Sequence, residues 1–593
     1  MATHLKRGWV PSDEGYFGQT AERVLHGELP HKDFDEGYTG GITFLNALAF
    51  RELGINSVSL RIVLFLFFIA WVPAILYVAG HFLSPLTAGA LTLLAVAWSV
   101  PNYSAPALSW YNLFFATFGV AALLRYLDTN SWRWLFAAGL CGGFSILAKI
   151  TGLYYVAAVL LFFVFREQCI ASEQNPDSRH RARLYASTVV LGLTAFVLLL
   201  FRLVHKVPGI PALTFFGLPA FCLVVLLLAR ELTGIPGRNG RRFLTLIDLC
   251  VPFGVGLTLP VIAFVIPYVR TGSVHSLLYG IFTLPMKRFA FAVVAPPNPI
   301  VIAEIIPFTL PVIIAFDSGR IGRLVCGGIL ASFCGIVLVG SEKSTLLYGF
   351  GWRSLATSIP VLILAGVVVL WVSRSGKTLT SLRQQQFMLL VCVTALCSIV
   401  QFPFSVQGYV CYIAPILILG VAALFSSLSR PPRFVLGTLL VFYLLFVSLR
   451  VTPAFIYDMG VRYSPDTQTQ RLTLARAGGL RVDPTDEQVY KGLIPLVQSH
   501  AGGRFIYCTP DCPEVYFFSG LDNPTRDIYD FNDVSAGRTN RILQMLENRR
   551  INVVAINDKP VFSGPLDLVL RHALEQRYAH AAQFGSFEVR WNQ

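Results

Sequence analysis

Unbroken apolar runs, not alternating ones, set the pattern for roughly the first three quarters of the chain. They start near Val58, Leu83, Ala107, Trp134, Thr151, Leu184, Ala212, Ile247, Ile300, Ile321, Gly351, Gln386, Tyr409 and Phe434. A bilayer-crossing helix needs about 20 mostly apolar residues, and the pattern predicts about 14 such spans. The stretch Trp134–Phe165 is too long for one crossing and is interrupted by Lys149-Ile-Thr-Gly152, so it reads as a pair. The continuity of the runs excludes a transmembrane β-barrel, whose strands alternate. From about Asp466 the pattern changes. Short apolar strands at Arg504–Tyr507 and Val553–Ile556 flank the helical segment Thr539–Arg550, as expected of a small α/β domain. Three parts follow: a head, residues 1–57; a multi-span body, 58–457; and a tail, 458–593.

Composition makes the class an all-α polytopic membrane bundle with a small soluble C-terminal α/β domain. Hydrophobic residues are 54% and charged residues 13%, where soluble domains carry about 25% charge. A water-soluble enzyme, a disordered chain and a disulfide-stapled secreted domain are excluded. Of 33 acids and 47 bases, 16 and 15 lie after residue 457, leaving 17 and 32 before it. Eight of those 17 acids crowd the head: Asp13, Glu14, Glu22, Glu28, Asp33, Asp35, Glu36 and Glu52. The body's bases sit in short loops between apolar runs, which speaks for membrane topology and against nucleic acid.

One alternating set of loops, from Arg125/Arg133 to Arg430/Arg433, holds 17 bases. The other set holds 9: Lys149, Arg202, Lys206, Arg270, Lys287, Arg288, Lys343, Arg353 and Arg450. The positive-inside rule puts the richer set in the cytoplasm, so head and tail face outside. An exported head ordinarily follows a signal or a span, and Met1–Pro11 contains no apolar core. The expectation is a span preceding this start, with export by the run from Val58 as the other route.

The head carries the candidate chemistry. Tyr16–Leu25 sets Phe17, Ala21, Val24 and Leu25 at helical spacing, Ser12 or Asp13 can cap that helix, and Gly27 follows at its stop. Asp13 and Glu14 then lie at a helix N-terminus beside the membrane, where the helix dipole favours an ionised carboxylate able to accept a proton. On spacing alone the pair reads first as a cap. Nine of the eleven cysteines stand singly in apolar runs, as small buried hydrophobes. Cys508 and Cys512 lie in the exported tail, where a disulfide is permitted. No zinc spacing, P-loop, nucleophile elbow, dinucleotide fingerprint or internal repeat is visible.

From Asp13 to Arg61 the chain resembles the first extracytoplasmic loop of the GT-C glycosyltransferases. These are polyprenyl-phosphate-sugar-dependent membrane enzymes related to protein O-mannosyltransferases and the lipid A aminoarabinose transferase. The resemblance lies in Asp13-Glu14, in Gly27–Phe34 and in Gly54–Arg61 leading into the next span. Departures are His31, where tyrosine is commoner, and Gly40-Gly41, where a proline-containing pair is usual. Ala138–Gly152 is similar to the family's pair of short spans, and Gln407–Tyr412 loosely to its late span. The family also carries a span before this loop and tends to end in an extracytoplasmic domain.

The resemblance implies a GT-C fold in a bacterial inner membrane. It implies transfer of a sugar from a polyprenyl-phosphate carrier to a lipid, glycan or protein acceptor on the extracytoplasmic face. The leaving lipid phosphate needs cations, and the acceptor hydroxyl needs a base. Direct displacement inverts the anomeric centre and requires no carboxylate nucleophile. Asp13 is the expected base and Glu14 the alternate. Substrate contacts are expected from Asp33, Lys149, Arg270, Lys287, Arg288 and Tyr409, although Lys149 and the bases of the Arg270–Pro299 loop equally suit snorkelling to the interface. The second outer loop, Val100–Pro106, has no acid, so the expectation is no metal and no cofactor, with head carboxylates as the fallback ligands for a divalent ion. Rival readings are a polymerase or ligase using the same lipid carriers, and a transporter or flippase. A transporter is disfavoured by spans nearly free of acids, Asp248 and Glu304 being the close cases.

Overall fold

A computed structural model describes residues 4–592 except 175–181, 208, 234, 236, 288–292, 376–378, 429–430, 451–467, 534 and 561. It is a bundle of membrane-length helices with a small mixed sheet near the C-terminus. Among the described residues, ten helices are long and apolar enough to cross a membrane. They are Ser57–Gly80, Ile150–Glu173, Arg183–Val204, Ile210–Leu232, Asn239–Arg270, Pro299–Asp317, Arg320–Gly340, Thr345–Val372, Ser381–Gln401 and Arg433–Arg450. Each of the fourteen runs falls on a helix, but four of those helices are shorter or less apolar than a span. Helices α1 (Pro11–Leu25) and α2 (Gly41–Leu53) form the head, and α3 (Ser57–Gly80) is the first span. Then α4 (Pro85–Ala97) has 13 residues, about 20 Å against a hydrocarbon core of about 30 Å. Helix α5 (Leu108–Thr129) has the length but dilutes its apolar run with Ser109, Asn112, Thr117, Arg125 and Asp128. The shorter helices α6 (Trp132–Ala148), which pairs with the span α7 (Leu153–Gln174), and Ala414–Ser426 complete the four.

The break between α6 and α7 falls where the sequence places it. Lys149 is extended (φ −160°, ψ 143°), and Ile150–Gly152 makes one tight turn before α7. Gly152 is required there: a Cβ would stand 2.3 Å from the Ser145 carbonyl carbon. The two base sets also separate by their contacts. At one end Lys149 meets Ser109 of α5 and the Tyr38 ring of the head, Lys206 meets Met286, and Lys287 meets Asn532 of the tail. Arg166, Arg242 and Arg383 meet Gln385, Glu167 and His81 at the other. That second end corrects the expectation of acid-free spans. Glu167 and Glu231 are buried there on one guanidinium, Arg242, at 2.7 and 2.6 Å, so opposite charges satisfy one another inside the bundle.

The tail contains β1 (Gln470–Arg471) paired antiparallel with β2 (Arg481–Val482). A four-stranded sheet follows, with β3 (Tyr507–Thr509), β4 (Val553–Asn557), β5 (His580–Phe584) and β6 (Phe587–Trp591) in the order β3-β4-β6-β5. The β3–β4 pair is parallel and the rest antiparallel. Arg538–Asn548 is the helix the sequence places just before β4. Cys508 and Cys512 are buried free thiols. The head–tail packing is close: Gly15 of α1 lies against Glu514, where a Cβ would come within 2.3 Å of the backbone nitrogen. Phe50 stacks on Phe517 (5.9 Å), and Arg476 takes both oxygens of Glu22 at 2.6 and 2.8 Å. The body–tail boundary at 457/458 falls outside the described residues.

The outward orientation of the head is testable. His26 and Thr129 are both exposed, the first in the head and the second at the opposite end of the bundle. A cysteine at His26 should react with an impermeant thiol reagent in intact cells, and one at Thr129 only after permeabilisation. The reverse pattern would invert the topology.

Candidate functional site

Helix α1 begins at Pro11, earlier than the spacing suggests, because proline suits the first helical position. Neither Ser12 nor Asp13 caps it; the N-cap is Val10, with no side-chain cap hydrogen bond. Gly27 (φ +91°) follows its end as expected. Asp13 and Glu14 both occupy the first turn, but about 100° apart around the axis, and their surroundings differ completely. Glu14 is buried. Its carboxylate takes two hydrogen bonds from Arg61 of α3, at 2.8 and 2.5 Å, and the Val10 N–H at 3.0 Å. Asp13 is half-buried and accepts the Tyr103 hydroxyl at 3.1 Å.

Tyr103 comes from the second outer loop, and from it a chain of aromatic rings leads to Lys149. Tyr103 lies 6.0 Å from Tyr412, and Tyr412 lies 5.2 Å from Tyr409. The Lys149 ammonium stands 6.0 Å from the Tyr409 ring and 5.8 Å from the Tyr38 ring, and it donates to Ser109 at 3.2 Å. Cations attract the electron-rich faces of aromatic rings over such distances. Asp13, Lys149 and Tyr409, 396 positions apart at the extremes, thus meet at the head end of the bundle through Tyr38, Tyr103 and Tyr412. Those three tyrosines belong to segments quoted for the resemblance or for the second loop, but nothing in their spacing singles them out.

Tyr38 is held by a carboxylate with no expected role. Glu36 is buried, and it accepts the Tyr16 hydroxyl, the Thr43 hydroxyl (2.7 Å) and the Tyr38 N–H (3.2 Å). Tyr16 in turn accepts the Gly37 N–H at 2.5 Å. Burial pushes the Glu36 carboxyl above its ordinary value, against these hydrogen bonds. It does the same to the Tyr16 hydroxyl, helped by the neighbouring Glu36. The turn that carries Tyr38 is therefore fixed from inside.

The other expected substrate contacts stand elsewhere. Asp33 closes its own turn by accepting the Leu29 N–H at 2.7 Å, with Lys32 at 3.7 Å. Lys287 donates to the Asn532 carbonyl of the tail at 2.6 Å. Nearby, burial and then the adjacent Asp35 push the Asp527 carboxyl up to about 7. Arg270 is exposed at the end of its helix and is not part of the aromatic chain. Arg288 lies outside the described residues. Glu304 is bound by Arg353 through three contacts of 2.9–3.2 Å. His31 adopts φ +63°, and burial lowers its imidazole to about 4, so it is neutral. Among the described residues, no three His, Cys, Asp or Glu side chains converge as metal ligands.

No family model matches the chain, and no curated protein matches it. Solved structures similar to it include the following two. Archaeal oligosaccharyltransferase AglB from Archaeoglobus fulgidus, in complex with an inhibitory peptide and a dolichol-phosphate, is 12% identical with a TM-score of 0.38. That alignment covers 93% of this chain and 66% of AglB, just under two thirds of its length. ArnT from Cupriavidus metallidurans bound to undecaprenyl phosphate is 11% identical with a TM-score of 0.32, covering 99% of this chain and 95% of that one.

Proposed function

We propose that the chain is a glycosyltransferase of a bacterial inner membrane. In this reading it moves one sugar from a polyprenyl-phosphate carrier to an acceptor hydroxyl on the extracytoplasmic face. The observation that carries the reading is the chain of tyrosines, from three distant segments, that links Asp13 to Lys149 at the head end of the bundle. The resemblance of Asp13–Arg61 to the GT-C loop supports it. A polyprenyl chain lies in the bilayer, so its phosphate sits at the membrane surface. Lys149, at the broken junction of α6 and α7, is a cation at that level.

The step then balances as follows. Asp13 takes the proton of the acceptor hydroxyl, whose oxygen bonds to the anomeric carbon. The bond from that carbon to the carrier phosphate oxygen breaks, and the phosphate leaves as an anion facing Lys149. One displacement inverts the anomeric centre. Tyr409 and Tyr38 flank the ammonium and restrict its movement, which pre-organises the charge. Asp33, Arg270 and Lys287 have no part in this step, and Glu14 serves the fold.

Replacing Lys149 with Met keeps the aliphatic stem and removes the charge. A hydrogen bond to a charged group contributes about 1.5–3 kcal/mol, so the KM for the lipid donor should rise about 10- to 100-fold. The measurement is initial rate against polyprenyl-phosphate-sugar concentration with purified enzyme in detergent. Donor dependence equal to the wild type would remove Lys149 from the phosphate and leave it as an interfacial lysine.

A further inference from the structure

Asp13 also lines a cavity on the side of the tail. Tyr16, Tyr38, Leu284, Pro285, Tyr529, Phe531, Asn532 and Phe562 share it with Asp13 and Gly37. Three parts of the chain build it: the head, the outer segment just before Lys287, and two loops of the tail. Tyr16, Tyr529 and Phe531 form a near-parallel stack, with centroids 5.3 and 5.5 Å apart and planes within 13°. Two rings are set across that stack, Tyr38 at 75° to Tyr16 and Phe562 at 83° to Tyr529. The Tyr529 hydroxyl donates to the Ser12 carbonyl at 3.1 Å, beside Asp13. With Lys287 on the Asn532 carbonyl, this holds the tail loop against the catalytic turn. The tail therefore forms the outer wall of the Asp13 site.

The lining selects a ligand class. Aromatic faces carry negative charge density and attract the weakly positive C–H face of a saturated ring. A few polar groups among aromatics are the usual make-up of a small-molecule site. Here the polar groups are the Asp13 carboxylate and the nearly buried Asn532, able to meet hydroxyl groups. Of the ten lining residues Asp13 alone bears a charge, and its carboxylate disfavours an anion. On the flanking tail loop, Asp530 and Asp533 are paired with Arg538 and Arg541. The carrier phosphate must stay at the membrane with Lys149, so a ring on the tail side of Asp13 belongs to the acceptor.

We propose that this cavity is the acceptor subsite, holding a neutral pyranose ring against Tyr38 and Phe562 with one hydroxyl directed at Asp13. The inference rests on the transfer reaction proposed above and deepens it by naming the acceptor as a carbohydrate.

The probes are methyl glucopyranoside, galactopyranoside and mannopyranoside, with methyl glucuronide as the charged comparison. Saturation-transfer NMR on the purified full-length protein should show binding of at least one neutral glycoside and weaker binding of the glucuronide. Phe562→Leu keeps apolar bulk and removes the ring face, and should weaken binding about 2- to 10-fold at an unchanged melting temperature. Phe531→Leu is the second variant, should Phe562→Leu fail to fold. In transfer assays with a bound glycoside as acceptor, the same variants should raise the acceptor KM and leave the donor KM unchanged. The subsite is overturned by three results: no neutral glycoside binding to the wild type, equal binding to the folded leucine variants, or a shift confined to the donor KM. Glucuronide binding as tight as the neutral glycosides overturns the neutral class. The two proposals fail separately. Glycosides that bind and respond to the variants, with no lipid-linked donor ever consumed, would sink the transfer reaction and keep the subsite.

Discussion

Asp13→Asn should reach the membrane folded and turn over roughly 10²- to 10⁴-fold more slowly, the usual contribution of a positioned general base. Asp13 does not cap α1, and an asparagine oxygen can accept the Tyr103 hydroxyl as the carboxylate does. What the substitution removes from the helix is its favourable charge in the first turn, about 0.3–1 kcal/mol. Stability and turnover should therefore separate: a melting curve within a few degrees of the wild type, with a kcat reduced by orders of magnitude. The assay is sugar transfer by purified protein with a polyprenyl-phosphate donor, beside a thermal melt in the same detergent. Near-normal turnover would remove Asp13 as the base and, with it, the main chemical support for the transfer reaction. Loss of folding in proportion to loss of turnover would make the carboxylate structural.

The adjacency of Asp13 and Glu14 shows what was legible in the sequence and what was not. Apolar runs locate every membrane-length helix among the described residues, because burying apolar surface in lipid needs only local composition. Lys149-Ile-Thr-Gly152 is likewise legible, as a charge and a glycine interrupting one run. In the tail, β4 is visible as an apolar strand. The hairpin β5–β6 is not, because His580, Gln583, Glu588 and Arg590 give it a mixed surface with no clear apolar run. Which of two neighbouring acids is locked into the fold is decided by partners 47 and 90 positions away, Arg61 for Glu14 and Tyr103 for Asp13. No local spacing contains that information. The same holds for Glu167 and Glu231: each sits near the end of an apolar helix, and Arg242, read as a loop cation, folds inward between them. The tail's wall beside Asp13 is the most distant case, with more than 500 residues separating Ser12 from Tyr529.

Arg61→Met is expected to have the largest effect on stability. Both side chains of the Arg61–Glu14 pair are 0% exposed, and the guanidinium does more than neutralise one carboxylate. It also donates to the carbonyls of Leu5 (3.1 Å), Arg7 (2.5 Å) and Gly8 (3.1 Å), which straps the residues before α1 onto the first span. Removing one partner of a buried ion pair costs about 3–5 kcal/mol, since the other is left charged without compensation. A whole domain is stable by only about 5–15 kcal/mol. Arg61→Met strands a buried carboxylate and takes the donor from the Leu5 and Gly8 carbonyls, while the Arg7 carbonyl keeps the Ser104 hydroxyl at 2.5 Å. Glu14→Gln should be milder, because Arg61 keeps those carbonyls and the amide oxygen still accepts one of its N–H groups. The strap should also loosen in Arg61→Met, so that trypsin cuts faster after Lys6, already exposed, and Arg7, while the rest of the bundle resists cleavage for longer. Thermal melts of both single variants and of Glu14→Leu/Arg61→Met measure the pair. The double variant should recover part of the loss, because no charge is then left buried, but not all of it, because the Leu5 and Gly8 carbonyls have still lost the Arg61 donor. An Arg61→Met protein that melts like the wild type and resists trypsin at Lys6–Arg7 would refute the strap. It would also reopen Glu14 as a carboxylate free for chemistry.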